Sequence, residues 1–154
     1  MVARTQKTAF HTGTVQKSIT VNIPKKKAWN KVSNIEGLPL WVVDVKKTIL
    51  LSKKKRGVGA IRLITFDDGN KIEEHVVAWE NGQHFTYVAT EGLPLRAYVA
   101  TISIKSKTSA KTQITWQSYL NSQKMSEKQF LEFLAFMGSF YEASLENLKA
   151  LLER

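Results

Sequence analysis

Two side chains in adjacent segments have the chemistry of a buried ion pair. Arg62 interrupts an otherwise apolar stretch, Ala60-Ile61-Arg62-Leu63-Ile64, and Glu74 follows on the far side of Asp67-Asp68-Gly69-Asn70. That tetrapeptide is a strong hairpin signal, because Gly and Asn accept positive φ. It lies midway between the two residues to within a position or two, so they are expected as cross-strand neighbours on one face. An arginine buried there is tolerable only when paired, and Glu74 is the obvious partner. Alternation alone leaves open whether the pair points inward or lies on a solvated convex face.

Tyr87 and Tyr98 each combine an apolar body with a polar tip, which suits a mostly apolar pocket with one or two orienting hydrogen bonds. Alternation places Tyr98, Ala100 and Ile102 on one face, and the small Ala89 and Ala100 would leave room for a ligand. Phe136, Phe140 and Ser144 recur at helical spacing and share one helix face, flanked by Phe133 and Met137. Such a face is either a pocket wall or ordinary core. Trp29, Trp79 and Trp116 read as structural, and Trp41 as structural or part of a cavity mouth.

Other chemistries lack their residues. There is no Cys, so disulfides, iron–sulfur clusters, thiolate zinc sites and Cys nucleophiles are excluded. His11, His75 and His84 have no short ligand spacing, and His75, next to Glu74, should point to the opposite face. No phosphate-cradling Gly loop and no nucleophile elbow occurs. No cofactor and no metal is expected.

The elements that must position these groups follow from periodicity. From Thr14 to Ile23 apolar residues alternate, broken only by Lys17, and Pro24 ends the strand. Ala28, Trp29, Val32 and Ile35 fall at helical spacing in a short helix over Lys25–Asn34, and Gly37–Trp41 forms a second short turn. Strands are expected over Val43–Ser52, Val58–Phe66, Lys71–Glu80, His84–Thr90, Leu95–Ser106 and Thr112–Leu120, giving seven in all. Ser126 with Gln129 makes a capping box for a helix running to Glu153. At 1.5 Å per residue that helix is about 40 Å long, enough to cross a sheet. Its first turns are apolar nearly all round, so it is buried on several sides or faces a partner. Gly-Leu-Pro-Leu occurs at 37–40 and again at 92–95, too short to be an internal repeat.

The chain's 154 residues suit one domain with a real core, placed at 13–154 after a flexible tail over 1–12. The net charge is +10, and all of the excess lies in residues 1–60, with 13 Lys/Arg against two acids. It concentrates at Lys25-Lys26-Lys27 with Lys31, at Lys46-Lys47 and at Lys53-Lys54-Lys55-Arg56. Such runs are solvated surface or bind polyanions. They are almost all Lys, whereas bidentate base contacts favour Arg. Sequence-specific DNA binding is therefore not expected, and any polyanion binding should be weak and salt-sensitive. No apolar run reaches transmembrane length and no signal-peptide core is visible, so a cytoplasmic protein is expected.

The order strand, two short helices, six antiparallel strands and long C-terminal helix resembles the START-like (SRPBCC, helix-grip) superfamily, in its polyketide cyclase/dehydrase-like branch. The resemblance covers about residues 13–153. It rests on Pro24 with Ala28-Trp29 and Val32, on Leu38-Pro39-Leu40-Trp41, on Gly57-Val58-Gly59-Ala60-Ile61-Arg62, on Glu74 through Trp79-Glu80, and on Tyr98-Val99-Ala100 with Thr112 through Trp116. It implies an α+β fold: a curved seven-stranded antiparallel sheet wrapped around the C-terminal helix, with a cavity between them. The positions of Lys46, Arg62, Glu74 and Gln117 match ones that can be polar and inward in ligand-binding relatives. With Ile64, Tyr87, Ala89, Tyr98, Ala100, Phe133, Phe136, Met137, Phe140 and Ser144 they form the expected cavity set. The fold hosts many functions. A binder or carrier of a lipophilic small molecule (lipid, quinone or polycyclic compound) is the leading expectation. A cyclase/dehydrase-like enzyme, with Arg62, Glu74, Tyr87 and Tyr98 polarising a carbonyl and moving a proton, is the second. The third is an RNA, ribosome or anionic-membrane partner for the basic first 60 residues. Oligomeric state is left open.

Overall fold

Alternating apolar and polar side chains build each strand, and a single long amphipathic helix covers the face they make. The computed structural model describes residues 10–154. The elements are β1 (His11–Val21), α1 (Lys25–Val32), a 3₁₀ turn (Leu38–Leu40), β2 (Val45–Leu50), β3 (Ile61–Phe66), β4 (Lys71–Glu80), β5 (His84–Glu91), β6 (Ala97–Thr108), β7 (Lys111–Ser122) and α2 (Glu127–Leu152). All seven strands join one antiparallel sheet in the order β1-β7-β6-β5-β4-β3-β2. Register shifts in the β2–β3, β4–β5 and β6–β7 pairings mark bulges, which bend strands and increase local twist. This is the helix-grip architecture expected from the sequence.

Several boundaries differ. β1 begins at His11, so His11 and Thr12 belong to the sheet; Phe10 precedes it, exposed beneath the Arg96 guanidinium, and the rest of the expected tail, 1–9, lies outside the described residues. The second short helix is the single 3₁₀ turn. The expected third strand loses its first residues, because Gly57 and Gly59 both take positive φ and hold 57–60 in a turn. Lys17 sits at an inward position of β1 after all. Its Nζ reaches Glu142 on α2 at 3.6 Å, so the charge stays at the surface while the stem lies across the helix.

α2 starts where the capping box requires. Gln129 N donates to Ser126 Oγ at 3.2 Å, and Ser126 N donates to Gln129 Oε1 at 2.9 Å. Phe130, Met137, Tyr141, Leu145 and Leu148 bury one face against the sheet. At the far end Lys149 Nζ donates to the Thr20 carbonyl at 2.7 Å, and Asn22 N donates to Glu153 Oε1 at 2.6 Å.

The meander sorts the connections between two ends. The β2–β3, β4–β5 and β6–β7 turns lie at one end with α1, because Val21 pairs with Thr112. There Trp29 packs edge-on against Trp79 and Phe85, and this end is filled. The β3–β4 and β5–β6 connections lie at the other end, with the start of α2. That end is open.

Candidate functional site

A cavity of about 420 Å³ opens between the concave face of the sheet and the first half of α2. This is within the size range of small-molecule sites. Its wall is largely apolar: Ile64, Ile72 and Ile102 from the strands, Trp116 from β7, and Phe133, Met137 and Phe140 from α2. Phe136 stands at its edge, 62% exposed and stacked on Phe140 with ring centroids 6.3 Å apart.

The polar part of the lining is an ion pair. Arg62 and Glu74 are directly opposed across β3 and β4, and both are buried. Arg62 Nε donates to Glu74 Oε1 at 2.9 Å, its Nη2 lies 2.8 Å from the same oxygen, and Nη1 donates to the Ile35 carbonyl at 3.0 Å. The guanidinium also lies over the Tyr87 ring, 4.8 Å from its centroid, a cation–π arrangement. Glu74 Oε2 receives no hydrogen bond among the described residues. Burial pushes the Glu74 carboxyl above its ordinary value; the charge and hydrogen bond of Arg62 oppose the rise without cancelling it.

Beside the pair, two hydroxyl contacts fix the aromatic floor. Trp116 Nε1 donates to Tyr87 OH at 3.0 Å, and the Tyr98 and Tyr141 hydroxyls hydrogen-bond each other. Tyr141 is fully buried and stacks on Trp116, with centroids 4.0 Å apart. Burial raises all three phenols, reinforced at Tyr87 by the Glu74 charge, so they serve as neutral hydroxyls.

The rim comes from loops. Asp67, Asp68 and Asn70 of the β3–β4 hairpin, Leu93 and Pro94 of the β5–β6 loop, and Asp44 ahead of β2 surround the opening. The loops interlock through the backbone: Asp67 N donates to the Asp44 carbonyl at 2.9 Å. Gly92 has φ +98 and lies so close to the backbone of Lys71 and Ile72 that a Cβ would collide with it. Only glycine lets the β5–β6 loop lean over the hairpin.

Of the side chains expected around a cavity, the structure brings Arg62, Ile64, Glu74, Tyr87, Tyr98, Phe133, Phe136, Met137 and Phe140 to its wall. Five others do not line it. Lys46 is exposed, because a bulge between Val45 and Lys47 lets two successive lysines face out while Val45 keeps its inward place. Gln117 is exposed on the convex face, since alternation in β7 gives the inward positions to Trp116 and Ser118. Ala100 faces inward opposite Tyr87 but is buried in the floor, and Ala89 lies beside Glu74 outside the opening. Ser144 is wholly buried, and its Oγ accepts from Val43 N at 3.1 Å, tying the loop before β2 to α2.

Trp116, read from sequence as structural, is a wall residue, and Tyr141, stacked on it, is a floor residue that the sequence reading does not single out. The signal for Trp116 was present: Trp116 and Gln117 cannot both face inward on one strand. Leu38 and Leu93-Pro94 put both Gly-Leu-Pro-Leu segments on the cavity. His75 turns outward, as expected, and bonds Glu73 Oε2 at 3.0 Å; with Thr90 it holds the Glu73 carboxyl below its usual range. Among the described residues no group of three His, Cys, Asp or Glu side chains could hold a metal ion. No described helix is long and apolar enough to cross a membrane.

Residues 12–153 match the family model for polyketide cyclase / dehydrase and lipid transport. No curated protein sequence matches the chain. Among solved structures, XoxI from Bacillus cereus is similar at TM-score 0.79 and 18% identity, covering 91% of this chain and 95% of its own. An uncharacterized protein from Bacillus thuringiensis gives TM-score 0.78 at 18% identity, covering 91% and 98%. The Zhui aromatase/cyclase from a Streptomyces species gives TM-score 0.77 at 15% identity, covering 94% and 95%. At such identities the likeness is one of fold.

Proposed function

Because the chain belongs to the polyketide cyclase / dehydrase and lipid transport family, we propose that it binds and carries a lipophilic small molecule in the cavity between sheet and helix. One observation carries this reading: a cavity of about 420 Å³ whose wall is aromatic and aliphatic except for one buried ion pair, satisfied on the arginine's side and open on the glutamate's. Contact with that wall supplies affinity at roughly 25 cal/mol per Å² of apolar surface buried, less the cost of ordering the ligand. The polar end gives orientation. Arg62 is engaged by Glu74 and Ile35, so the vacant acceptor is Glu74 Oε2. It suits a hydroxyl or amide N–H on an otherwise apolar molecule.

The test is native mass spectrometry of gently purified protein, followed by displacement of a fluorescent apolar probe with lipid, quinone and polycyclic extracts. A retained small molecule, or probe binding that such compounds compete, is expected. A protein that carries nothing and binds no apolar probe would end this reading.

A second reading, a cyclase/dehydrase-like enzyme, is favoured by one feature. Glu74 is a carboxyl raised by burial, with one oxygen open, beside two neutral phenols. Such a group holds its proton to higher pH than a free carboxyl and can exchange it with a bound carbonyl compound. Glu74→Gln separates the two readings. Loss of turnover on a polyketide-type substrate with binding retained supports catalysis, whereas unchanged product formation excludes Glu74 from it.

A further inference from the structure

The end of the molecule opposite the cavity mouth is basic. Lys26 and Lys27 of α1 and the Lys53-Lys54-Lys55-Arg56 run of the β2–β3 loop are exposed there, joined by the lysines that flank the β6–β7 turn. None of these cations forms an ion pair among the described residues. The cavity rim at the other end carries Asp44, Asp67 and Asp68. The Lys25–Lys27 and Lys53–Arg56 runs therefore share one end with the lysines of the β6–β7 turn, assembled by the meander from segments distant in sequence, while Lys46-Lys47, at the start of β2, lies toward the cavity mouth.

That face also carries aliphatic side chains. The basic run stands between Leu51 and Val58, which are 48% and 52% exposed. Val58 is held between Gly57 and Gly59, at φ +85 and +94, so the turn presents it beside the cations. We propose that this end docks on an anionic phospholipid surface, with the lysines at the headgroup phosphates and Leu51 and Val58 entering the boundary with the acyl chains.

Two features favour lipid over RNA. The cations are almost all Lys, which acts as a point charge rather than a planar fork. The exposed aromatic residues, Phe10, Tyr119 and Phe136, lie elsewhere, so this end offers no stacking platform for bases. Exposed aliphatics among lysines gain from a membrane interface and gain nothing from a phosphodiester backbone. Docked this way, the molecule keeps its cavity mouth turned away from the bilayer. This surface is separate from the cavity, and its test does not depend on the cavity's occupant.

The test is co-sedimentation of the full chain with vesicles of phosphatidylcholine alone or mixed with phosphatidylserine, with poly-uridylate RNA as competitor. Binding to the mixed vesicles only, weakening as salt is raised, is expected. Lys54→Glu with Lys55→Glu should reduce it about tenfold or more, while Lys128→Glu, at the other end, should leave it nearly unchanged. Val58→Ser should also weaken vesicle binding, and circular dichroism of each variant should match the parent. No sedimentation with the mixed vesicles at low salt would overturn the proposal. So would binding indifferent to Val58→Ser, or RNA binding that the vesicles cannot displace.

Discussion

Arg62 spends both Nε and Nη2 on one oxygen of Glu74, at 2.9 and 2.8 Å, and leaves the carboxylate's other oxygen to the cavity. The pair is thus satisfied on the arginine's side and open on the glutamate's. Removing either partner strands a buried charge or its donors. Arg62→Met alone should destabilise the protein by about 3–5 kcal/mol, and Arg62→Met with Glu74→Leu should recover most of that loss. Urea unfolding of the two variants measures it. A double variant no more stable than the single one would show that the pair holds the fold by more than its own compensation.

Glu74 also gives a signed pH dependence. Its folded-state value is raised by burial above the ordinary 4.5. Its contribution to stability is therefore fully present below about pH 4.5 and is lost as pH rises through the raised folded value. Glu74→Gln removes this titration. The stability difference between parent and variant, followed by denaturant unfolding from acid to neutral pH, should shift against the parent as pH rises. A difference independent of pH would mean that Glu74 titrates alike in folded and unfolded chains.

Phe136 separates ligand contact from stability. It is 62% exposed and lines the cavity edge. Phe136→Ala should change unfolding free energy by no more than about 0.5 kcal/mol while weakening binding of an apolar fluorescent probe. A large loss of stability with unchanged probe affinity would assign this ring to the fold instead.

Leu148 tests the other half of α2, on the face that packs against the sheet. It is 0% exposed, so Leu148→Ala should cost about 2–5 kcal/mol with the probe site intact. A change under about 0.5 kcal/mol in the same unfolding measurement would contradict its burial.

The filling of the small floor position is a further test. Ala100 is buried opposite Tyr87 rather than on the cavity wall. Ala100→Trp should overpack the floor and destabilise the protein by at least about 1–3 kcal/mol. Probe binding lost without any fall in stability would place Ala100 on the cavity after all.

Much of the site could be read from the chain because hairpin symmetry is local. The Asp67–Asn70 turn sets Arg62 against Glu74, and four-residue spacing sets Phe136 above Phe140. What could not be read is parity across irregularities. The bulge at Lys46 adds a residue without moving Val45, and nothing in the Lys46-Lys47 pair announces it. Ser144 has the right helical phase, but its hydroxyl is taken by the Val43 amide, a contact between segments far apart in sequence. Tyr141 was hidden for the same reason: its role depends on Trp116 and Tyr98, which only the folded sheet brings beneath it.

The pairing of β1 with β7 sets the order in which the molecule is completed. His11 finds its partner at Ser122 and Val21 at Thr112, so the ladder closes a loop containing every other strand. The intervening hairpins connect near neighbours and can form at low entropic cost, whereas this ladder waits for most of the chain. On the ribosome β1 emerges first and stays unpaired until β7 has been made. Until then both of its edges are open to a strand from another molecule, and afterwards only the outer one is, as an edge of the sheet. Its alternating polar residues, Thr14, Gln16, Ser18 and Thr20, keep one face of that waiting strand soluble.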